Sequence, residues 1–155
     1  MQNANIPLVS IGVPVYNGEK TLSEALSCLL AQDYKNLEII ISDNGSTDDT
    51  PKICKEFANK DKRVRYYRSD ENLGSSWNFN RVFDLSNGKY FMWAAHDDFR
   101  KKPFVSECVK QMESSPNAAL CQTHTTMYIV GHKEILCVTN LDSFKKDSSL
   151  VERYR

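Results

Sequence analysis

The sequence shows no excess of charge: twenty Lys and Arg balance twenty Asp and Glu over 155 residues, so its overall charge argues for no nucleic-acid or other polyanionic partner. The five cysteines (Cys28, Cys54, Cys108, Cys121, Cys137) include no C-x-x-C pair, and an odd number cannot all pair within one chain. They read as small core hydrophobes of a reducing compartment. His96, His124 and His132 lack zinc-ligand spacing, and there is neither a glycine-rich phosphate loop nor a serine-hydrolase elbow. A zinc enzyme, a P-loop NTPase, a nicotinamide dehydrogenase and a serine hydrolase are thereby disfavoured. No apolar run is long enough to span a bilayer, and Met1 to Pro7 lacks the basic segment and apolar stretch of a signal peptide. The expected location is the cytoplasm, with peripheral association at the inner membrane surface left open. Oligomeric state cannot be read from these residues.

What the sequence does have is an alternation of strand, loop and helix signals. Apolar runs at Leu8–Val13, Leu37–Ser42, Val64–Tyr67 and 89–95 read as strands. Between them, residues 19–32 carry Leu22, Ala25, Leu26, Leu29 and Leu30 on one helical stripe, and a second helix presents Ile53, Cys54 and Phe57 after Pro51. A third helix carries Trp77, Val82, Phe83 and Leu85, and a fourth covers 103–114. Further on, Ala118 to Tyr128 and Glu134 to Thr139 read as two strands around Gly131-His132, and 142–155 is polar and unpatterned. This order predicts an α/β fold with a mainly parallel sheet flanked by helices on both faces.

Three of these strands end in residues able to carry chemistry. In open α/β sheets ligands bind at the carboxyl ends of the strands, which places Pro14-Val-Tyr-Asn-Gly18, Asp43-Asn-Gly-Ser46 and His96-Asp-Asp98 on one cleft. Asp97 and Asp98 are adjacent like charges, a pattern that suits Mg²⁺ or Mn²⁺ completed by phosphate oxygens and water. Taken alone they fit equally well as a turn cap and a solvated loop charge. Asp43 and Asn44 offer acceptors and amide donors for the edge of a nucleobase, although Asp-Asn-Gly-Ser is also ordinary turn sequence. Tyr16 could stack on a planar ring or pack on the sheet edge, and Asn72-Leu-Gly74 adds an amide and a turn at a helix start.

In order, Val9 to Gly18, Leu37 to Asp48, Glu71-Asn-Leu-Gly74, Asn87-Gly-Lys-Tyr90 and His96-Asp97-Asp98 resemble the family-2 glycosyltransferases with the Rossmann-like GT-A fold, over roughly residues 8–139. The resemblance implies an inverting glycosyltransferase that moves a sugar from a nucleotide-sugar donor to an acceptor hydroxyl. It places Pro14, Val15, Tyr16 and Asn17 in the first nucleotide-binding loop, with Tyr16 against the base. Asp43 becomes the residue that hydrogen-bonds the base, usually uracil, so a UDP-sugar is the expected donor. Asn44 and Ser46 line the same pocket, Asn72, Gly74 and Asn78 face the diphosphate and sugar, and His96 joins them. Asp97 falls on the last acid of the family's D-x-D motif, with Asp98 after it, so Mn²⁺ or Mg²⁺ is expected on this pair. Ala95 stands where that motif has its first acid, a position that in relatives helps hold the ribose or the metal shell.

The implied partners are the donor and a saccharide or lipid-linked acceptor of polysaccharide or cell-surface glycan synthesis, and no nucleic acid. No residue matches the family's catalytic base. Asp142 and Asp147, the only late aspartates, sit in the polar tail and are not assigned to it. Residues 1–139 are therefore expected to form the donor-binding domain and 140–155 the start of a truncated or short acceptor region. A non-catalytic or degenerate nucleotide-sugar-binding module is the alternative. A nucleotidyltransferase would need a basic, glycine-rich loop that Pro14 to Thr21 lacks.

Overall fold

In a computed structural model the described residues are 6–115, 117–121, 123, 126–128 and 135–138. The chain divides into two units, 1–110 and 111–155. The first holds β1 (Val9–Val15), α1 (Leu22–Leu30), β2 (Leu37–Asp43), α2 (Thr50–Lys60), β3 (Val64–Arg68), α3 (Ser75–Asp84), β4 (Tyr90–Trp93) and most of α4 (Phe104–Ser114). Its four strands form one all-parallel sheet in the order β3-β2-β1-β4, with a helix between each strand and the next in sequence. The second unit contains an antiparallel pair, β5 (Thr126–Tyr128) and β6 (Ile135–Val138).

The two central strands explain the apolar runs. Every residue of β1 is buried, as are six of the seven in β2, because helices cover both faces of a parallel sheet. Ile11, Val13, Ile39 and Ile41 pack against Leu22, Leu26 and Leu29 of α1, Cys54 of α2, and Val105 and Val109 of α4. On the other face α3 sits directly on β1: a Cβ at Gly12 would lie 2.7 Å from Val82 Cγ2 and 2.8 Å from Phe91 Cζ.

Strand β1 runs two residues beyond its expected end, through Pro14. The Gly12 carbonyl accepts from Ala94 N–H at 2.9 Å, so in the alternation of a parallel ladder Gly12 and Pro14 face β4. The ladder to β4 stops at Gly12↔Trp93, whereas that to β2 continues to Val15↔Asp43. The missing proline N–H therefore falls where no acceptor strand remains. Helix α1 is shorter than the stripe suggested. Glu19 to Thr21 form a turn whose end is held by Thr21 and Leu22 N–H on the Gly18 carbonyl, at 3.1 and 3.0 Å. Beyond the helix, Gln32 is fully buried and its side-chain oxygen accepts the Val105 N–H at the start of α4.

Of the apolar residues expected on α3, Val82 is buried, but Trp77 and Phe83 are exposed, as is Phe79, and the other buried residue is Asn78. The expected strand from Ala118 is shorter, since residues 118–121 carry no ladder. The turn at Gly131-His132 and the tail 140–155 lie outside the described residues. Cys54 is buried, whereas Cys28, Cys108 and Cys121 are partly exposed. Burial, and then the charge of Asp43, push the Cys54 thiol up to about 12, which makes it an inert core group.

A polar clasp closes the opposite end of the sheet. Glu38 accepts from Ser10 Oγ at 2.6 Å, from the Asn87 N–H at 2.8 Å and from Arg65 Nη1 at 2.8 Å, while Gly88 N–H donates to Ser10 Oγ at 2.7 Å. Burial opposes ionisation of Glu38, but the bonds from Ser10, Asn87 and Arg65 outweigh it and hold the carboxyl below its ordinary value of 4.5. A depressed carboxylate contributes stability above the unfolded value and loses it as pH falls through the folded one. Glu38→Gln is expected to lower stability at pH 7 by on the order of 1–3 kcal/mol. It should also flatten the loss of stability below about pH 4.5, as read by urea melts across pH. A parallel downward shift with unchanged pH dependence would show that the Glu38 charge plays no part.

Candidate functional site

The carboxyl ends of β1, β2 and β4 and the start of α3 enclose a cleft of about 280 Å³. Its wall is formed by Pro14, Val15 and Tyr16 after β1, Asn44 after β2, Asn72, Ser75, Asn78 and Phe79 around the start of α3, and Ala95, His96 and Asp97 after β4. Residues more than 80 positions apart thus meet because parallel strands deliver all their carboxyl ends to one side of the sheet. Tyr16 and Phe79 are 44% and 42% exposed, so the cleft offers ring surface as well as polar groups. A larger but more open hollow of about 440 Å³, lined by Glu19, Lys20, Asp49, Lys52, Ile53 and Glu56, lies beside α2 and mixes charges of both signs.

The polar residues expected here fall into two groups. Pro14, Val15, Tyr16, Asn44, Asn72, Asn78, His96 and Asp97 face the cleft, while Asn17, Asp43, Ser46, Gly74 and Asp98 are not in its wall. Asp43 is fully buried, and both its oxygens are engaged. Oδ1 accepts the Ser46 N–H at 2.9 Å; Oδ2 accepts the Tyr66 hydroxyl at 2.9 Å and pairs with Arg68 Nε at 3.2 Å. Burial, together with the hydrogen bond and charge of Asp43, pushes the Tyr66 phenol up. The strand alternation accounts for this placement: Asp43 still belongs to β2 and turns toward β3 and α2, and Asn44, the next residue, turns the other way.

Asn44 fastens the loop before α3. Its Oδ1 accepts the Leu73 N–H at 3.0 Å, and its Nδ2 donates to Asn72 Oδ1 at 2.8 Å and the Gly74 carbonyl at 3.1 Å. Gly45 has φ 76°, and a Cβ there would lie 2.7 Å from the Glu71 carbonyl carbon, so only glycine lets these two loops touch. Asn17, at φ 51°, joins the first two loops. Its N–H donates to Ser46 Oγ at 2.9 Å and its Oδ1 accepts the Thr47 N–H at 2.9 Å, the local bonding that lets asparagine adopt a left-handed conformation. Asn78 ties α3 to the strand ends by donating to the carbonyls of Val15 at 3.3 Å and Ser42 at 2.9 Å. Its Oδ1 and the Ser42 hydroxyl are buried without a hydrogen-bond partner.

The two late acids behave differently. Asp98 pairs with Arg100 at 3.0 Å. Asp97 is exposed, lines the cleft, and makes no hydrogen bond or ion pair among the described residues. Among those residues no three His, Cys, Asp or Glu side chains come together as a metal cage. A single free carboxylate on a cleft suits a hard divalent cation that draws its remaining ligands from phosphate oxygens and water. Ser75 and Phe79 are wall residues that sequence reasoning did not single out. Phe79 sits beside the expected apolar stripe of α3, and Ser75 starts that helix, so each carried a positional signal only.

Comparison with known proteins bears on family and fold. Residues 10–136 match the family described as Glycosyl transferase family 2. A glycosyltransferase of Rickettsia typhi is 42% identical over 97 residues, which are 63% of this chain and 29% of the relative. One from Haemophilus influenzae is 36% identical over 111 residues, covering 72% of this chain and 34% of the relative. The chain thus spans about a third of the length of these curated relatives. Among solved structures, S. aureus TarS 1-349 in complex with UDP-GlcNAc superposes with a TM-score of 0.64 at 26% identity, over 68% of this chain and 31% of TarS 1-349. A mannosyltransferase from Pyrobaculum calidifontis in complex with GDP-Man and Mn²⁺ gives 0.65 at 24% identity, over 70% of this chain and 33% of its own, a likeness of fold.

Proposed function

This chain belongs to glycosyl transferase family 2, and from that premise we propose that residues 1–139 form the donor site of an inverting glycosyltransferase using a UDP-sugar. The observation that carries this reading is the cleft, where Tyr16, Asn44, Asn72, His96 and the unpaired Asp97 share one wall. The 280 Å³ space is at the lower edge of what small-molecule sites occupy, and it is open to solvent. The choice of UDP is supported by the UDP and UDP-GlcNAc complexes of TarS, the neighbour with the higher identity.

In this reading the exposed Tyr16 ring takes the base, and Asn72 and His96 contact the diphosphate side of the donor. Asp43, Asn17 and Ser46 hold the loops that shape the base pocket, and Gly74 holds the turn that presents Asn72. Asp97 would hold Mn²⁺ or Mg²⁺, with Asp98 fixed by Arg100 beside it. When bound, the cation neutralises charge on the departing diphosphate. The residues of this chain then bind and orient the donor, with Phe79 keeping water from the ring side of the cleft. The acceptor, a saccharide or a lipid-linked one in polysaccharide or cell-surface glycan synthesis, and the base that deprotonates it are assigned to no described residue. The site of action is the cytoplasm, at the inner membrane face where the acceptor is lipid-linked; no helix among the described residues is long and apolar enough to cross a membrane.

One observation favours a binding module without turnover: Ala95, in the cleft wall, supplies no carboxylate where the family's motif has its first acid. Calorimetric titration of the chain with UDP, in Mn²⁺ and in chelator, tests the donor reading. Saturable binding that strengthens with metal is expected. A folded sample that binds neither UDP nor GDP in either condition would overturn it. Donor hydrolysis or transfer to an added acceptor would exclude the binding module.

A further inference from the structure

Thr21 occupies the N-cap position of α1, where a threonine hydroxyl ordinarily accepts a helix N–H. It makes no such bond. The hydroxyl instead meets His96 Nδ1 at 3.0 Å, across 75 positions of sequence. Glycine at 18 gives the ring room: a Cβ there would lie 2.6 Å from Val15 Cγ2 and 3.2 and 3.3 Å from His96 Nδ1 and Cγ. The diverted cap and this close approach place one ring on the cleft wall.

The direction of that bond depends on the imidazole tautomer: a hydroxyl that donates needs a bare Nδ1, and one that accepts needs Nδ1–H. The Thr21 hydroxyl has no other acceptor among the described residues, which favours the first arrangement. A neutral imidazole that accepts at Nδ1 carries its proton on Nε2. Among the described residues Nε2 has no partner, and the ring lines the cleft next to Asp97.

We propose that Thr21 is a positioning residue that locks His96 in the Nε2–H form, and that this N–H donates to a diphosphate oxygen of the bound nucleotide. The second half rests on the donor-site reading above; the first does not. An N–H fixed before the ligand arrives loses no ring entropy on binding, and it gives the cleft a donor for the anion that a lone carboxylate cannot supply.

The test uses the whole chain with ¹⁵N-labelled histidine at alkaline pH, where a neutral ring reports its tautomer by long-range ¹H–¹⁵N correlation. His96→Gln assigns the signal by removing it. The wild type is expected to show a protonated Nε2, Thr21→Val a mixture of tautomers, and Thr21→Ser a return to the wild-type pattern. In parallel, Thr21→Val and His96→Ala should weaken UDP binding about tenfold and leave uridine binding unchanged, the loss of one charge-assisted hydrogen bond. His96→Gln, which can donate from a similar position, should recover part of it. A protonated Nδ1 in the wild type, or a Thr21→Val spectrum unchanged from it, overturns the positioning role. Equal loss of uridine and UDP, or no loss of either, overturns the diphosphate contact. A wild type that binds neither ligand yet shows the Nε2–H form locates the failure in the donor reading, and not in the Thr21–His96 pair.

Discussion

Asp97→Ala is expected to abolish the metal-dependent part of UDP binding while the folding midpoint stays within about 0.5 kcal/mol of the wild type. The carboxylate is exposed on the cleft wall and makes no hydrogen bond or ion pair among the described residues, so its removal strands no partner. What it removes is a hard anionic ligand. A cation that Asp97 would hold loses that anchor, and UDP affinity in Mn²⁺ should fall roughly a hundredfold to the level seen in chelator. Uridine, which brings no phosphate, should bind as before. Asp98→Ala provides the contrast: that acid pairs with Arg100 at 3.0 Å outside the cleft wall, and its loss should change UDP affinity by no more than a few-fold. Calorimetry of the two variants, each with UDP and uridine and each with metal and chelator, separates these outcomes. Metal-dependent binding that survives in Asp97→Ala would place the cation elsewhere.

The architecture was legible where burial leaves an unambiguous trace. Ile39 to Ile41 is apolar on both faces because β2 is a central strand covered by helices on each side, and the spacing of Leu22, Ala25, Leu26 and Leu29 reports the single buried face of α1. The site was legible as a set of chain positions, since strand ends can be located from composition. Which way each residue turns was not. Asp43 and Asn44 are neighbours in a string of polar residues, yet one is sealed between Tyr66, Arg68 and Ser46 and the other faces the cleft. Helix α3 shows the same limit more sharply. Ranking by hydrophobicity selects Trp77 and Phe83 as core, but the end of the sheet offers the carbonyls of Val15 and Ser42, and only an amide such as Asn78 satisfies them. The pairing of Thr21 with His96 left no local signal at all, because it depends on the adjacency of β1 and β4.

Asp43→Ala should produce the other large effect, and of a different kind. The carboxylate has no solvent-exposed surface and receives the Ser46 N–H, the Tyr66 hydroxyl and Arg68 Nε. Deleting it leaves a buried N–H and a half-buried phenol without an acceptor, each at a cost of about 1–3 kcal/mol. Arg68 is 43% exposed and can turn to water, so its share is small. A total of about 2–6 kcal/mol is a large part of what holds an ordinary domain together, and the melting temperature should fall by roughly 10 °C or more. The same change frees the loop that Ser46 and Asn17 share, which borders the Tyr16 side of the cleft. Uridine binding should therefore weaken equally in metal and in chelator, in contrast to Asp97→Ala, where only the metal-dependent part is lost. Tyr66→Phe divides framing from contact. It removes one bond to Asp43 without touching the cleft, so on the framing account it lowers stability by about 1 kcal/mol and weakens uridine modestly. If Asp43→Ala melts like the wild type but no longer binds uridine, the carboxylate contacts the base and does not serve as the frame. If its loss of binding appears only with metal present, Asp43 belongs to the cation and not to the nucleoside.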